Sequence, residues 1–242
     1  MFNSIPPVTR NIIILNVIVF VVTGFLLPQY GGILAAYYPF SPNFRSWQII
    51  THMFMHGGYM HIIFNMFTLF SFGPILERSL GEKKYLILYF LSGLGAFFLF
   101  NLWNFYEVQQ LSTELVNANF NIADVFMKSD LSKFNYNPEL FVSNEKAYNL
   151  YEALTTPMVG ASGAIFGVVA AFATLYPDAK IGIMFIPIPM KVKYVLPVVV
   201  IGSIYLGVSG NGGGIAHLAH VGGAIVGFIL ARIWRKHLYR FN

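Results

Sequence analysis

Apolar positions along this chain gather into six stretches, roughly 11–27, 57–76, 84–104, 157–176, 194–209 and 215–234. Each reaches, or nearly reaches, the ~20 residues that a helix needs to cross a bilayer. The fifth is short and holds Pro197, so its ends are the least defined. The stretch at 11–27 follows Arg10 and resembles a signal peptide in position, but no small-residue cleavage site comes directly after it, so it reads as a span. Neither an internal repeat nor a second domain is evident, and residues 1–242 read as a single unit. Two segments interrupt the pattern: 28–50, which mixes Tyr, Phe and Trp with prolines and one arginine as suits a membrane–water interface, and the more polar 105–156.

Composition agrees with the pattern. Of the 242 residues, 56% are hydrophobic and 10% charged, against about 25% charged in an average soluble domain. Mean hydropathy is +0.62. The chain therefore reads as an all-α, multi-pass membrane protein of six transmembrane helices. It has no cysteine, which excludes disulfides, thiolate metal sites and cysteine catalysis.

A net charge of +5 invites a nucleic-acid reading, but the placement of the charges opposes it. With both termini cytoplasmic, eleven of the fifteen Lys and Arg residues fall on the inner side. The outer side holds Arg45, Lys128, Lys133 and Lys146. That bias is the positive-inside rule; the basic residues report topology, and no nucleic-acid partner is expected.

The polar residues inside the spans fall at one depth. Ser162 lies 14 residues before Tyr176, His220 lies 14 before Trp234, and His61 lies 14 before Ile75. At 1.5 Å per residue, each sits about 21 Å from the inner end of its helix. Asn65 is one turn from His61 on the same face. Polar groups inside a membrane are costly and mark function, and small-residue packing alone does not account for four of them at one level.

The chemistry that fits is acyl transfer. A serine hydroxyl needs a base, and neutral imidazole is the usual one near pH 7. Asn, His and backbone N–H groups can stabilise an oxyanion. Ser162 stands near the start of its helix, where N–H groups lack intrahelical partners. Rival chemistries lack their residues. The three aspartates, Asp124, Asp130 and Asp178, all fall between spans, and "HMFMH" (52–56) has Met53 where a zinc protease would have glutamate. With no intramembrane aspartate, a Ser–His pair would act as a dyad.

These motifs together resemble the rhomboid family of intramembrane serine proteases in its six-helix form. "GASGAIFG" (160–167) is of the G-x-S-x-G type, with its second glycine at 163, directly after Ser162, and "AHVGGAIVG" (219–227) resembles A-H-x-x-G-x-x-x-G. "HIIFN" (61–65) is an H-x-x-x-N pair, and "GPILERSLG" (73–81) resembles G-x-x-x-E-x-x-x-G. The resemblance implies Ser162 as nucleophile, His220 as general base, and His61 and Asn65 on the oxyanion side. Gly160, Gly163, Gly223, Gly227 and Glu77 would be structural. Phe166, one turn after Ser162, would stack under His220 or simply fill core. The family's first outer loop often ends Trp-Arg; here it is Trp47-Gln48, with Arg45 two residues earlier.

"AHLAH" offers a second histidine. Small residues follow His220 at +3 and +7 (Gly223, Gly227), a face suited to press on Gly163 and Gly167, whereas the same offsets from His217 reach His220 and Ala224. His217 is expected to line or hydrogen-bond, and His52 and His56 to be structural or water-holding. The segment 105–156 carries seven acidic residues, three lysines and nine aromatics, too aromatic for disorder; partial helix is expected, begun at "NIAD" (121–124).

The expected function is intramembrane serine endopeptidase activity on transmembrane segments, in a bacterial inner membrane, with no metal or cofactor. Two alternatives stand beside it. One is a catalytically inactive rhomboid-like protein that binds membrane clients. The other is a small transporter, which would favour repeated halves.

Overall fold

The computed structural model describes residues 5–183, 186–209 and 216–238. It is mostly helical. Helix α1 spans Pro7–Val21 and continues as a π-helical turn, Val22–Leu26. One-turn helices α2 (Gly31–Leu34) and α3 (Gln48–Thr51) follow, then α4 (Tyr59–Leu80) and α5 (Glu82–Asn117). Short α6 (Ile122–Lys128) and α7 (Glu145–Thr155) precede α8 (Ser162–Leu175). Last come strands β1 (Lys180–Ile183) and β2 (Ile186–Lys191) and helices α9 (Val192–Ser209) and α10 (Ala216–Leu238).

Among the described residues, four helical segments are long and apolar enough to cross a membrane: Pro7–Leu26, Tyr59–Leu80, Glu82–Asn117 and His217–Arg235. Two further apolar helices, Ser162–Leu175 and Val192–Gly202, are shorter. Large apolar side chains such as Ile18, Phe67, Val198 and Ile229 are exposed on the periphery, as lipid-facing positions would be.

Helix α8 is the hub. Ten of its 14 residues are buried, and α4, α5, α9 and α10 all pack against it. Its closest approach is to α10, made possible by missing side chains. A Cβ at Gly223 would overlap the Gly163 carbonyl, and one at Gly227 would overlap that of Gly167. Helix α5 joins them: a Cβ at Gly222 would collide with Gly95 O, and one at Gly163 with Ala96. Small residues let backbones touch, which is how helices associate where no hydrophobic drive separates protein from lipid.

Several expected boundaries are corrected. The third stretch does not stop at 104; α5 runs on to Asn117, because Glu107, Gln109, Gln110 and Glu114 are good helix formers although not apolar. The fourth begins at Ser162 rather than 157. Met158 is instead held extended by paired backbone bonds to Ala36 (3.0 and 2.7 Å), and Gly160 has φ +128°. The second ends at Leu80, where Gly81 (φ +79°) turns the chain. The sixth was expected from 215, a residue outside those described, as is Arg240.

The expectation of an all-α chain is also amended. A small antiparallel hairpin pairs Lys180 with Lys191 and Ile181 with Met190. Two prolines, at 187 and 189, disfavour helix there.

The segment 118–156 is packed. Asn121 caps α6 by accepting from Ala123 N, and Asn144 caps α7 by accepting from Lys146 N and Ala147 N. Tyr38, Val108, Leu115, Val125 and Tyr151 belong to a second core beneath it. Asn43 ties it to the segment before α4, donating to Ser129 O (2.7 Å) and accepting from Leu131 N (2.9 Å). Gln48 is buried and fastens its own loop. Its carbonyl accepts from Arg45 N at 3.0 Å, and its amide donates to Ile33 O at 3.2 Å and Asn43 O at 3.3 Å.

At the opposite end of α4, Glu77 is 3% exposed and accepts from Val8 N (2.8 Å), Thr9 N (2.7 Å) and Thr9 Oγ1 (2.7 Å). It thus caps the first turn of α1, whose N–H groups have no partners of their own. Glu77→Ala should lower stability by about 2 kcal/mol, the scale of losing a charged cap, whereas Glu82→Ala at an exposed position should change it little. Thermal unfolding in detergent would test this; equal midpoints for the two variants would show that the cap contributes nothing.

Candidate active site

Ser162 is the first residue of α8. Its hydroxyl lies 3.0 Å from His220 Nε2 on α10, a hydrogen-bonding distance. The His220 ring stacks on Phe166, with centroids 4.2 Å apart and planes at 0°. Phe166 stands one turn beyond Ser162, so one helix supplies both the hydroxyl and the surface that orients the imidazole. The glycine contact described above brings α10 close enough for this bond.

Gly160 shapes the approach to Ser162. Its N–H donates to His52 O at 3.0 Å. A Cβ there would lie 2.8 Å from His61 Nε2 and 3.4 Å from Ser162 Oγ. Together with its positive φ, this makes glycine necessary. His61 on α4 therefore lies beside the serine, across a residue that has no side chain.

Asn65, one turn along α4, is buried, and its Nδ2 has no hydrogen-bond partner among the described residues. His61, Asn65, Ser162, Phe166 and His220 all line one cavity of about 890 Å³. Its far wall is α9, through Val195, Leu196 and Val199. No Asp or Glu lines it among the described residues.

Three further histidines, His217, His56 and His52, stand near this group. The His217 ring is 6.0 Å from His220, nearly perpendicular to it, and His56 is 5.1 Å from His61. His52 is 1% exposed; its Nδ1 lies 2.7 Å from Gln48 O, and its ring packs on Phe97. Through its own carbonyl it holds Gly160, a link that spacing along the chain does not reveal. Sequence reasoning also missed Asn104, the last residue of the expected third stretch, and Glu107, on the continuation of α5. Their three-residue spacing on one face was the available signal.

Residues 43–110 and 140–237 match the Rhomboid domain. The chain belongs to the rhomboid family. It is 27% identical over 188 residues to Rhomboid protease AarA of Providencia stuartii, covering 76% of this chain and 54% of that protein. It is 26% identical over 242 residues to Rhomboid protein 1, mitochondrial, of Saccharomyces cerevisiae, covering 95% and 56%. Over 90 residues it is 33% identical to Rhomboid protease GlpG of Salmonella choleraesuis, covering 36% and 32%. In the two longer matches the chain spans a little over half the length of the relative. The rhomboid match leaves out 111–139, which contains α6 and the end of α5.

Burial pushes the His52 imidazole down from its ordinary 6.5 to about 4. His56 is likewise lowered to about 4, by burial and by the neighbouring His61. Below pH 6.5 the unfolded chain takes up protons that the folded one refuses. Their stabilising contribution is therefore whole above that pH and is lost as pH falls toward 4. Thermal midpoints should drop across this window, and His52→Gln should reduce the slope. An unchanged slope would remove His52 from the pH response.

Proposed function

We propose that this protein is an intramembrane serine endopeptidase acting through a Ser162–His220 dyad. The observation that carries the reading is the 3.0 Å contact between His220 Nε2 and Ser162 Oγ, with the imidazole stacked on Phe166. Neutral His220 takes the serine proton as Oγ attacks the scissile carbonyl, then returns it to the departing amine. The oxyanion meets N–H groups of the first turn of α8, and the His61 and Asn65 side chains stand on the same cavity. The protease names of the relatives support the reaction class.

In this reading residues 1–242 act as one membrane domain. All six apolar helices cross the bilayer, with both termini in the cytoplasm and the membrane a bacterial inner one. Substrates are transmembrane segments of other proteins, reaching Ser162 along the cavity between α4 and α9. The shortness of α8, about 21 Å, supports a serine set below the membrane surface.

Ser162→Ala and His220→Ala should each abolish cleavage of a reporter transmembrane substrate in liposomes while the protein stays folded. Wild-type cleavage by purified Ser162→Ala would refute the assignment.

His61→Ala and Asn65→Ala should be slower by about 10²–10³ in turnover, the cost of losing one oxyanion donor. They should still react with a fluorophosphonate, and the loss should fall on kcat more than KM. Unimpaired turnover in both would take these residues out of the reaction.

A further inference from the structure

Ser162 and His61 border a second chamber, of about 380 Å³, on the side facing α5 and α7. Unlike the cavity toward α9, its walls carry Asn104, Glu107, Asn149 and Glu152, and no Lys or Arg lines it among the described residues. Asn104 is 2% exposed, and its Oδ1 has no hydrogen-bond partner among the described residues. Glu107 Oε2 is buried too and has no partner among the described residues. Three residues apart, the two lie on one face of α5.

A buried acceptor without a donor costs roughly 1–3 kcal/mol, and more when charged. Two such acceptors on one chamber wall are a standing demand for N–H groups. Across the chamber, the Glu152 carboxylate is held in place by Tyr136 Oη–H (2.6 Å) and Thr156 Oγ1–H (3.1 Å). The walls therefore offer acceptors in several directions, and the opening reaches the Ser162 hydroxyl.

Building on the proposed peptidase activity, we propose that this chamber receives a basic side chain, Lys or Arg, from the substrate residue next to the scissile bond. An ammonium or guanidinium group brings three or five donors and would satisfy Asn104 Oδ1 and the Glu107 carboxylate together. Charge-assisted bonds of this kind are the stronger ones. Glu107 is the specificity-determining residue, and Asn104 and Glu152 complete the cradle.

The test is a reporter transmembrane substrate with Lys, Arg or Met at each of the two positions flanking the scissile bond, assayed in liposomes. At one of these positions the wild type should prefer Lys or Arg over Met by about tenfold or more in kcat/KM. Glu107→Gln should bring that ratio close to one, and Glu107→Lys should invert it. A wild-type ratio of one at both positions, or a preference that survives both substitutions, overturns the inference. Fluorophosphonate labelling of Ser162 separates the two levels. A labelled, active enzyme with no basic preference refutes the chamber assignment alone. A wild type that neither labels nor cleaves refutes the peptidase reading, and this inference with it.

Discussion

Helices α8 and α10 lie so close that a methyl group at Gly223 or Gly227 would penetrate a carbonyl of the facing helix. Everything at the site follows from that separation. A longer distance would take His220 out of reach of Ser162, and no loop could correct it, because both residues sit on rigid helices. Phe166 then sets the ring's orientation from the same helix as the serine. Stacking on a flat apolar face restricts rotation of the imidazole without adding a charge inside the bundle. An acidic orienter would instead need desolvation, a large cost inside an apolar bundle.

Away from the glycine seam, the structure relies on buried polar fasteners. Asn43 and Gln48 bind backbone groups of segments distant in sequence or of irregular loops. Backbone without regular structure must find partners somewhere, and these side chains supply them. The result is a packed region above the bundle that supports Gly160 and the extended stretch before Ser162.

The helices and the polar cluster were legible from the sequence for definite reasons. Apolar runs mark helices, and matching 14-residue offsets bring His61, Ser162 and His220 to one cavity because helical rise is fixed. The pairing of Gly223 and Gly227 with Gly163 and Gly167 followed from period alone. The extension of α5 to Asn117 did not, because hydropathy reports the lipid boundary whereas hydrogen bonding sets the helix boundary. Nor did the His52–Gly160 link or the Ala36–Met158 bridge. Both are contacts between backbone groups, which carry no residue signature. Glu77 was legible as a helix-end anchor, but its partner 68 residues away was not.

That partner has a consequence for how the chain assembles. The amide groups at the start of α1 are answered by a carboxylate close to the far end of α4. As the protein is synthesised, α1 emerges first and cannot be completed until most of α4 has followed it. The first helix therefore waits, partly unsatisfied, for a later one, and the two mature as a coupled pair. A chain interrupted between them would leave α1 without its cap, a defect that cellular quality control is able to read.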